Sequence, residues 1–382
     1  MKTGLVTHYM PPHHGGIERV TETLFSGYAR AGIEVRWVAS RVPVTAPARE
    51  GQRVRVSCCN APERFIGVPV PLWGRQGWRE LSALVDWADA LHVHDCLYPG
   101  SALAVMLARR ARKPVLLSQH VGFIQYRTPW LNWAESLAYA SIGRAVLRRV
   151  SWVVLATPGA ADHVSALLGR SPRHTSAIPN GIDTSHFRPA SAADRRLARE
   201  RLGLPLHSPV VLFVGRLVEK KGISLVAAVS RQLANVHFLI VGDGPLRHVV
   251  GQRLANVTWL PAIIPERMPE CYFAADCLLL PSHGEGLPLV VQEAMACGLP
   301  AVISEDEPFA VDLGRLNICA LAPRTVSGMA EQVVEVLRDS GIRPGLGLRA
   351  RAHVDSEWSA DAMVERYVAL LHQLVPLGTG AD

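Results

Sequence analysis

The chain has 382 residues, 49% of them hydrophobic, more than one compact core usually holds, and two domains are expected. No long segment is polar enough to read as disordered; only 378–382 reads as a loose tail. The net charge of +7 is uneven: residues 1–185 carry 21 Lys and Arg against 12 Asp and Glu, the remainder 19 against 21. An Arg-rich half suits an anionic partner (a phosphorylated substrate, a lipid surface or nucleic acid), although a genomic bias toward Arg gives the same count.

In chain order, short apolar runs alternate with helical stretches. Strands are expected at 4–7, 35–40, 90–94, 115–118 and 152–156, then at 210–214, 236–241, 257–260, 277–280 and 301–303. The runs are continuous rather than alternating, as in parallel strands covered on both faces by helices. Two such sets predict two doubly wound α/β domains, 1–185 and 186–358, with a last helix near 359–375 that packs back on the first. Pro179-Asn180-Gly181-Ile182-Asp183 is the turn between them, and 192–202 is a polar helix leading into the second. No run reaches the ~20 apolar residues of a membrane span, and the N-terminal stretch is too short for a signal peptide. Seven Cys without a CxxC pair argue against a disulfide framework or a Cys metal site. A cytoplasmic protein is expected, able to lie on a membrane surface.

In open α/β sheets ligands bind beyond the carboxyl ends of the strands, and two facing sheets make a cleft. The loop 281–288 follows a strand and delivers a helix, 288–297, whose N-terminus favours phosphate. Glu285 precedes this helix and Glu293 lies in its second turn; carboxylates accept hydrogen bonds from sugar hydroxyls. Taken singly, the two carboxylates would read as a capping charge and a surface residue. After 210–214 come Gly215, Arg216 and Lys221, and the two cations can converge on one anion. The GxxxxGK[ST] spacing is absent. After the first strand, Gly15 and Gly16 precede a helix from Glu18, which allows close approach of a ligand; the pattern is not GxGxxG. His92, His94 and His120 cluster at strand ends, where a histidine either contacts substrate or is hydrogen-bonded for structure. No third ligand completes a zinc site among them.

Together these motifs resemble glycosyltransferase family 4, of the GT-B architecture, over nearly the whole chain. The carriers are Gly15-Gly16-Ile17-Glu18, the His92/His94 strand end, Pro179 to Asp183, Gly215-Arg216 with Lys221-Gly222, Gly242-Asp243-Gly244-Pro245, Ala275-Asp276, and the E-x7-E pair Glu285 and Glu293. The resemblance implies a retaining, metal-independent transfer of a hexosyl group from a nucleotide diphosphate sugar, with no cofactor. It implies that Arg216 and Lys221 neutralise the leaving diphosphate, that Glu285 holds the sugar and that Glu293 holds the ribose. Backbone at Gly286, Leu287, Leu289 and Val290 would meet sugar or phosphate, and the base would lie near Ile263. Gly15 and Gly16 would approach the diphosphate, and His120 the donor sugar. The acceptor, a glycan or a lipid-linked molecule of cell-envelope or exopolysaccharide synthesis, would belong to the first domain.

Two departures stand out: Pro288 where Gly is frequent, and Ser304-Glu305-Asp306-Glu307-Pro308 in place of a small, Gly-rich loop. Trp73, Arg75, Trp78 and Arg79, then Trp130, Trp133, Arg144, Arg148 and Arg149, suit an anionic membrane surface, or else a core or an acceptor pocket. The rivals are another GT-B enzyme, such as an epimerase or phosphorylase, and a catalytically silent nucleotide-sugar binder. No nucleic-acid motif is present.

Overall fold

The structure is a computed structural model that describes residues 1–13, 15–61, 70–120, 122, 129–169, 174–250, 254–261, 263–285, 287–338 and 342–375. His14, Gly286 and the tail at 378–382 lie outside the described residues. The chain divides into two compact units: Met1–Gly181 with Asp361–Asp382, and Ile182–Ala360.

In the first unit the strands are β1 (Lys2–Val6), β2 (Glu34–Ser40), β3 (Arg49–Glu50), β4 (Arg53–Val56), β5 (Cys58–Cys59), β6 (Leu72–Trp73), β7 (Ala90–His94), β8 (Val115–Gln119), β9 (Trp152–Leu155) and β10 (Thr175–Ala177). Among the described residues eight of them form one sheet, ordered β10-β9-β8-β7-β1-β2-β4-β3 and parallel except for β3 against β4. Consecutive residues point to opposite faces, and both faces are apolar. Leu5 and Leu116 join one buried cluster with Leu24 and Trp37, while Val6 and Leu117 join the other with Leu81 and Val93. The first cluster is closed by Met363, Val364, Tyr367 and Leu371 of the last helix, Ala360–Leu374, so the chain's end completes the core of its beginning.

The second unit holds β11 (Val210–Val214), β12 (His237–Val241), β13 (Val257–Leu260), β14 (Cys277–Leu280), β15 (Ala301–Ser304) and β16 (Ala320–Ala322). They form a parallel sheet in the order β13-β12-β11-β14-β15-β16. The polar helix Ala192–Leu202 starts in a capping box, Ser191 Oγ accepting from Asp194 N at 3.1 Å and Asp194 Oδ2 accepting from Ser191 N at 2.9 Å, and stops at Gly203. Its helical spacing sets Arg195 and Arg199 against buried Asp276, at 2.5 and 2.8 Å, while Val210 N donates to the same carboxylate at 2.9 Å. The Ala275-Asp276 motif therefore ties a helix to the first strand of its sheet. Ile182 N donates to Trp358 O and Ala360 N to Ile182 O, both at 2.8 Å, so the segments entering and leaving this unit are laced together.

All ten expected strands are present, within two residues at each end. The short strands β3, β4, β5, β6, β10 and β16 are additional. Of these, β4 reads Arg-Val-Arg-Val, a half-polar pattern near the sheet edge that a search for continuous apolar runs passes over.

Candidate active site

In the second unit the chemistry-bearing side chains sit on loops that leave the carboxyl ends of the strands. After β11, Gly215 and exposed Arg216 lead into a single turn, Glu219–Lys221, closed by Gly222 at φ 74°. A Cβ on Gly222 would lie 2.2 Å from Pro281 O, so only glycine lets this turn rest on the loop after β14. His283 N donates to Lys220 O at 2.9 Å and locks the two loops together. That contact brings Lys221 Nζ to 3.0 Å from Glu285 Oε2, a pair whose side chains are 21% and 16% exposed. Among the described residues Arg216 makes no ion pair and is exposed.

The helix Leu289–Ala296 follows, with Pro288 at its cap position and no side chain capping it. Leu289 and Val290 are its first two residues, half-buried, and their N–H groups have no partner within the helix by its geometry. Glu293, one turn on, is buried, and its Oε2 accepts from Tyr272 OH at 2.6 Å. Burial first, then the charge of Glu293, pushes the Tyr272 phenol far up, so it stays a donor. Leu287 and Ile263 are half-buried and pack on the core of this unit.

Glu307, named from the sequence only as part of the acidic stretch 304–308, was not among the expected site residues. The residue is 1% exposed; Oε1 accepts from Ser282 Oγ at 3.2 Å and Oε2 from Glu285 N at 3.1 Å. The signal was the acidic run 305–307, whose inward member only the fold identifies.

In the first unit, Gly15 caps the helix Gly16–Arg30, and Glu18 folds back over that start. A Cβ on Gly15 would lie 2.1 Å from Glu18 Oε2, so the glycine here makes room for the chain's own carboxylate. Burial opposes ionisation of Glu18, but a 2.8 Å contact with His13 Nδ1 and the charge of His8 outweigh it and hold its pKa below the usual range.

His120, just past β8, accepts or donates to His94 Nδ1 at 2.8 Å through Nε2, and meets Asn180 Oδ1 at 3.2 Å through Nδ1. The amide oxygen calls for a proton on His120 Nδ1, which leaves Nε2 to accept from His94. Burial lowers the His120 pKa to about 4, against the opposing pull of Asn180 and Glu18. Burial lowers His92 to about 3 and His94 well below the usual histidine range. All three are neutral imidazoles at pH 7. His92 is structural: it bonds Tyr28 OH at 3.0 Å and Ser118 Oγ at 2.7 Å, and Ser118 passes the chain to Tyr367 OH of the last helix at 2.7 Å.

The tryptophans separate. Trp73 is half-buried against the core of the first unit, donating to Ser40 Oγ at 2.7 Å. Trp130 and Trp133 stand 56% and 70% exposed on the helix Pro129–Ala138, with Leu137 and Ile142 also exposed and Arg144, Arg148 and Arg149 exposed just beyond.

Among the described residues no group of three or more His, Cys, Asp or Glu side chains is placed to hold a metal ion. The structure groups Lys221, Glu285, Glu307 and the start of the helix at Leu289 in one unit, and Gly15, Gly16 and His120 in the other; Gly286 lies outside the described residues.

Residues 14–186 match the family model described as Glycosyltransferase Family 4, and residues 208–339 the model described as Glycosyl transferases group 1. A mannosyltransferase of Corynebacterium glutamicum, named as GDP-mannose-dependent and acting on monoacylated alpha-(1-6)-phosphatidylinositol monomannoside, is 31% identical over 209 residues, 51% of this chain and 55% of that one. The chain thus spans about half the length of that relative. The Bacillus subtilis glycosyltransferase TuaC, assigned provisionally to teichuronic acid biosynthesis, is 25% identical over 91% of this chain and 92% of its own. Anabaena HepE in complex with UDP-glucose shares the fold, with a TM-score of 0.75 over 98% of this chain and 100% of that one at 16% identity. With both units matched and two parallel Rossmann-like sheets in place, the chain belongs to glycosyltransferase family 4 and has the GT-B fold.

Proposed function

We propose that this protein moves a hexosyl group from a nucleoside diphosphate sugar to a glycan or lipid-linked acceptor, with retention at the anomeric carbon and without a metal ion. The observation that carries the reading is the half-buried Lys221–Glu285 pair at 3.0 Å, held next to an uncapped helix start. On donor binding, Lys221 and Arg216 take the diphosphate, the role a metal ion has elsewhere, and Glu285 turns to the sugar hydroxyls. The N–H groups of Leu289 and Val290 face the phosphate or sugar, and Glu293 takes the ribose. The C1–O bond to phosphate breaks as the acceptor oxygen bonds C1, and the departing phosphate oxygen takes the acceptor's proton.

The acceptor side of the reading rests on the helix Pro129–Ala138. Its exposed Trp130, Trp133 and Leu137, with the following arginines, suit an anionic lipid surface. Among the described residues no helix is long and apolar enough to cross a membrane. Relatives named for a phosphatidylinositol mannoside and for teichuronic acid favour an envelope acceptor.

The test is a thermal-shift screen against nucleoside diphosphate sugars with EDTA present, followed by donor hydrolysis and NMR of the product anomer. A stabilising donor and a product of unchanged anomeric configuration are expected. Absence of any binding donor, an inverted product, or activity that returns only with added metal would each overturn part of the reading. Failure to float with anionic liposomes at low salt would remove the membrane component.

A further inference from the structure

The acidic run that replaces the Gly-rich loop of the family divides in the fold. Glu305 is exposed, and Asp306 meets Arg324 Nε at 3.0 Å on the surface. Glu307 turns inward instead. Its own carbonyl accepts from Ala310 N at 2.9 Å, which fixes the backbone from which the side chain departs. Both carboxylate oxygens are engaged, by Ser282 Oγ and by Glu285 N, and both donors belong to the loop between β14 and the helix Leu289–Ala296. That loop therefore has two kinds of anchor: His283 N on Lys220 O from one side, and Glu307 from the other.

We propose that Glu307 is a positioning residue for transfer, holding the backbone of Glu285 so that its carboxylate stays in register with Lys221 and the helix start. This rests on the assignment of Glu285 to the donor sugar. Ser282 is fully buried, so a small side chain at 307 would leave its hydroxyl and the Glu285 N–H without acceptors and would free one side of the loop. Burial, partly offset by the two donors, lifts the Glu307 carboxyl above the ordinary range, and the nearby Glu285 charge adds to the lift. A neutral isostere is therefore compatible with the site. A glutamine can accept from Glu285 N with its oxygen and donate to Ser282 Oγ with its amide nitrogen.

The experiment compares Glu307→Ala, Glu307→Gln, Glu285→Ala and Glu285→Ala/Glu307→Ala in the full chain. It uses amide exchange at Glu285, UDP titration, and turnover of whichever donor the wild type consumes. In Glu307→Ala the Glu285 amide should exchange faster, and kcat should fall roughly 10- to 100-fold with the UDP Kd unchanged, as a displacement near 1 Å would give. Glu307→Gln should recover most of kcat and the amide protection. In the Glu285→Ala background, Glu307→Ala should cost nothing further. Unchanged Glu285 exchange, unchanged kcat, a loss expressed in UDP affinity, or additive losses in the double variant would overturn the proposal. If the alanine variant does not fold, Glu307→Asp carries the same comparison, because it keeps the buried carboxylate but is one methylene short of reaching both donors. A wild type that consumes no donor, with exchange behaving as expected, would refute the transfer reading and Glu307's part in it, and leave the loop anchor standing.

Discussion

The two units share an architecture and differ in what they place at the carboxyl ends of their strands. The second presents charge: Arg216 exposed, Lys221 against Glu285, and Glu307 beneath the loop. The first presents neutral imidazoles in hydrogen-bonded chains, His120 with His94 and Asn180, and His92 with Ser118 and Tyr367, together with the buried carboxylates of Glu18 and Asp95, the latter accepting from His120 N at 2.9 Å. Parallel strands and covering helices fix where the loops are, and leave their chemistry free. A diphosphate calls for cations and free N–H groups, whereas hydroxyls of a sugar or acceptor are matched by neutral donors and acceptors. The contrast is what a division of labour between diphosphate and hydroxyl recognition would require.

The sharpest way to break that contrast is Lys221→Ala. If charge in the second unit neutralises the leaving group, turnover should fall by about 1000-fold, on the scale of losing one electrostatic stabiliser. The melting curve should be little changed. Wild-type turnover would remove Lys221 from the mechanism.

Next in size is Arg199→Ala, which leaves buried Asp276 with fewer partners. A loss of about 3–5 kcal/mol is expected in urea unfolding, typical of a broken buried pair. A loss below 1 kcal/mol would mean that Arg195 and Val210 N suffice.

The neutral histidines make the first unit the acid-sensitive one. Their folded pKa values lie below the unfolded value of about 6.5, so the folded state binds fewer protons than the unfolded chain across the interval between them. Their contribution is complete above pH 6.5 and is lost as pH falls toward about 4 for His120 and about 3 for His92. Exchange measured from pH 7 to 4.5 should show the first unit losing protection before the second. The reverse order would mean that the half-buried His237 and His353 of the second unit dominate.

The smallest effect belongs to the surface. Trp133→Ala should leave stability within about 0.5 kcal/mol, as exposed positions do, while reducing flotation with anionic liposomes. Equal flotation of mutant and wild type would take this helix out of any membrane contact.

Much of this was legible before folding was considered. Continuous apolar runs gave the strands, because a parallel strand buried on both faces has no polar positions to disguise it. The helix at 192–202 was legible as a polar helical stretch, while its capping box at Ser191 and Asp194 and its stop at Gly203 came with the structure. Loop residues such as Gly222 and Lys221 could be found by their place after a strand. Glu307 could not, because an acidic run does not say which member turns inward. Nor could the separation of Trp73 from Trp133, since tryptophan serves a core and a surface equally well and only neighbours such as Ser40 decide.

The sequence by itself determined the two α/β units, ten of their strands and the loops that carry chemistry, because hydrophobic period and turn chemistry are local. The tertiary structure alone decided which charges meet. The Lys221–Glu285 pair spans 64 residues and the Glu307–Glu285 contact 22. Such pairings depend on which strands become neighbours in the sheet, here β11, β14 and β15, and no local pattern encodes that adjacency.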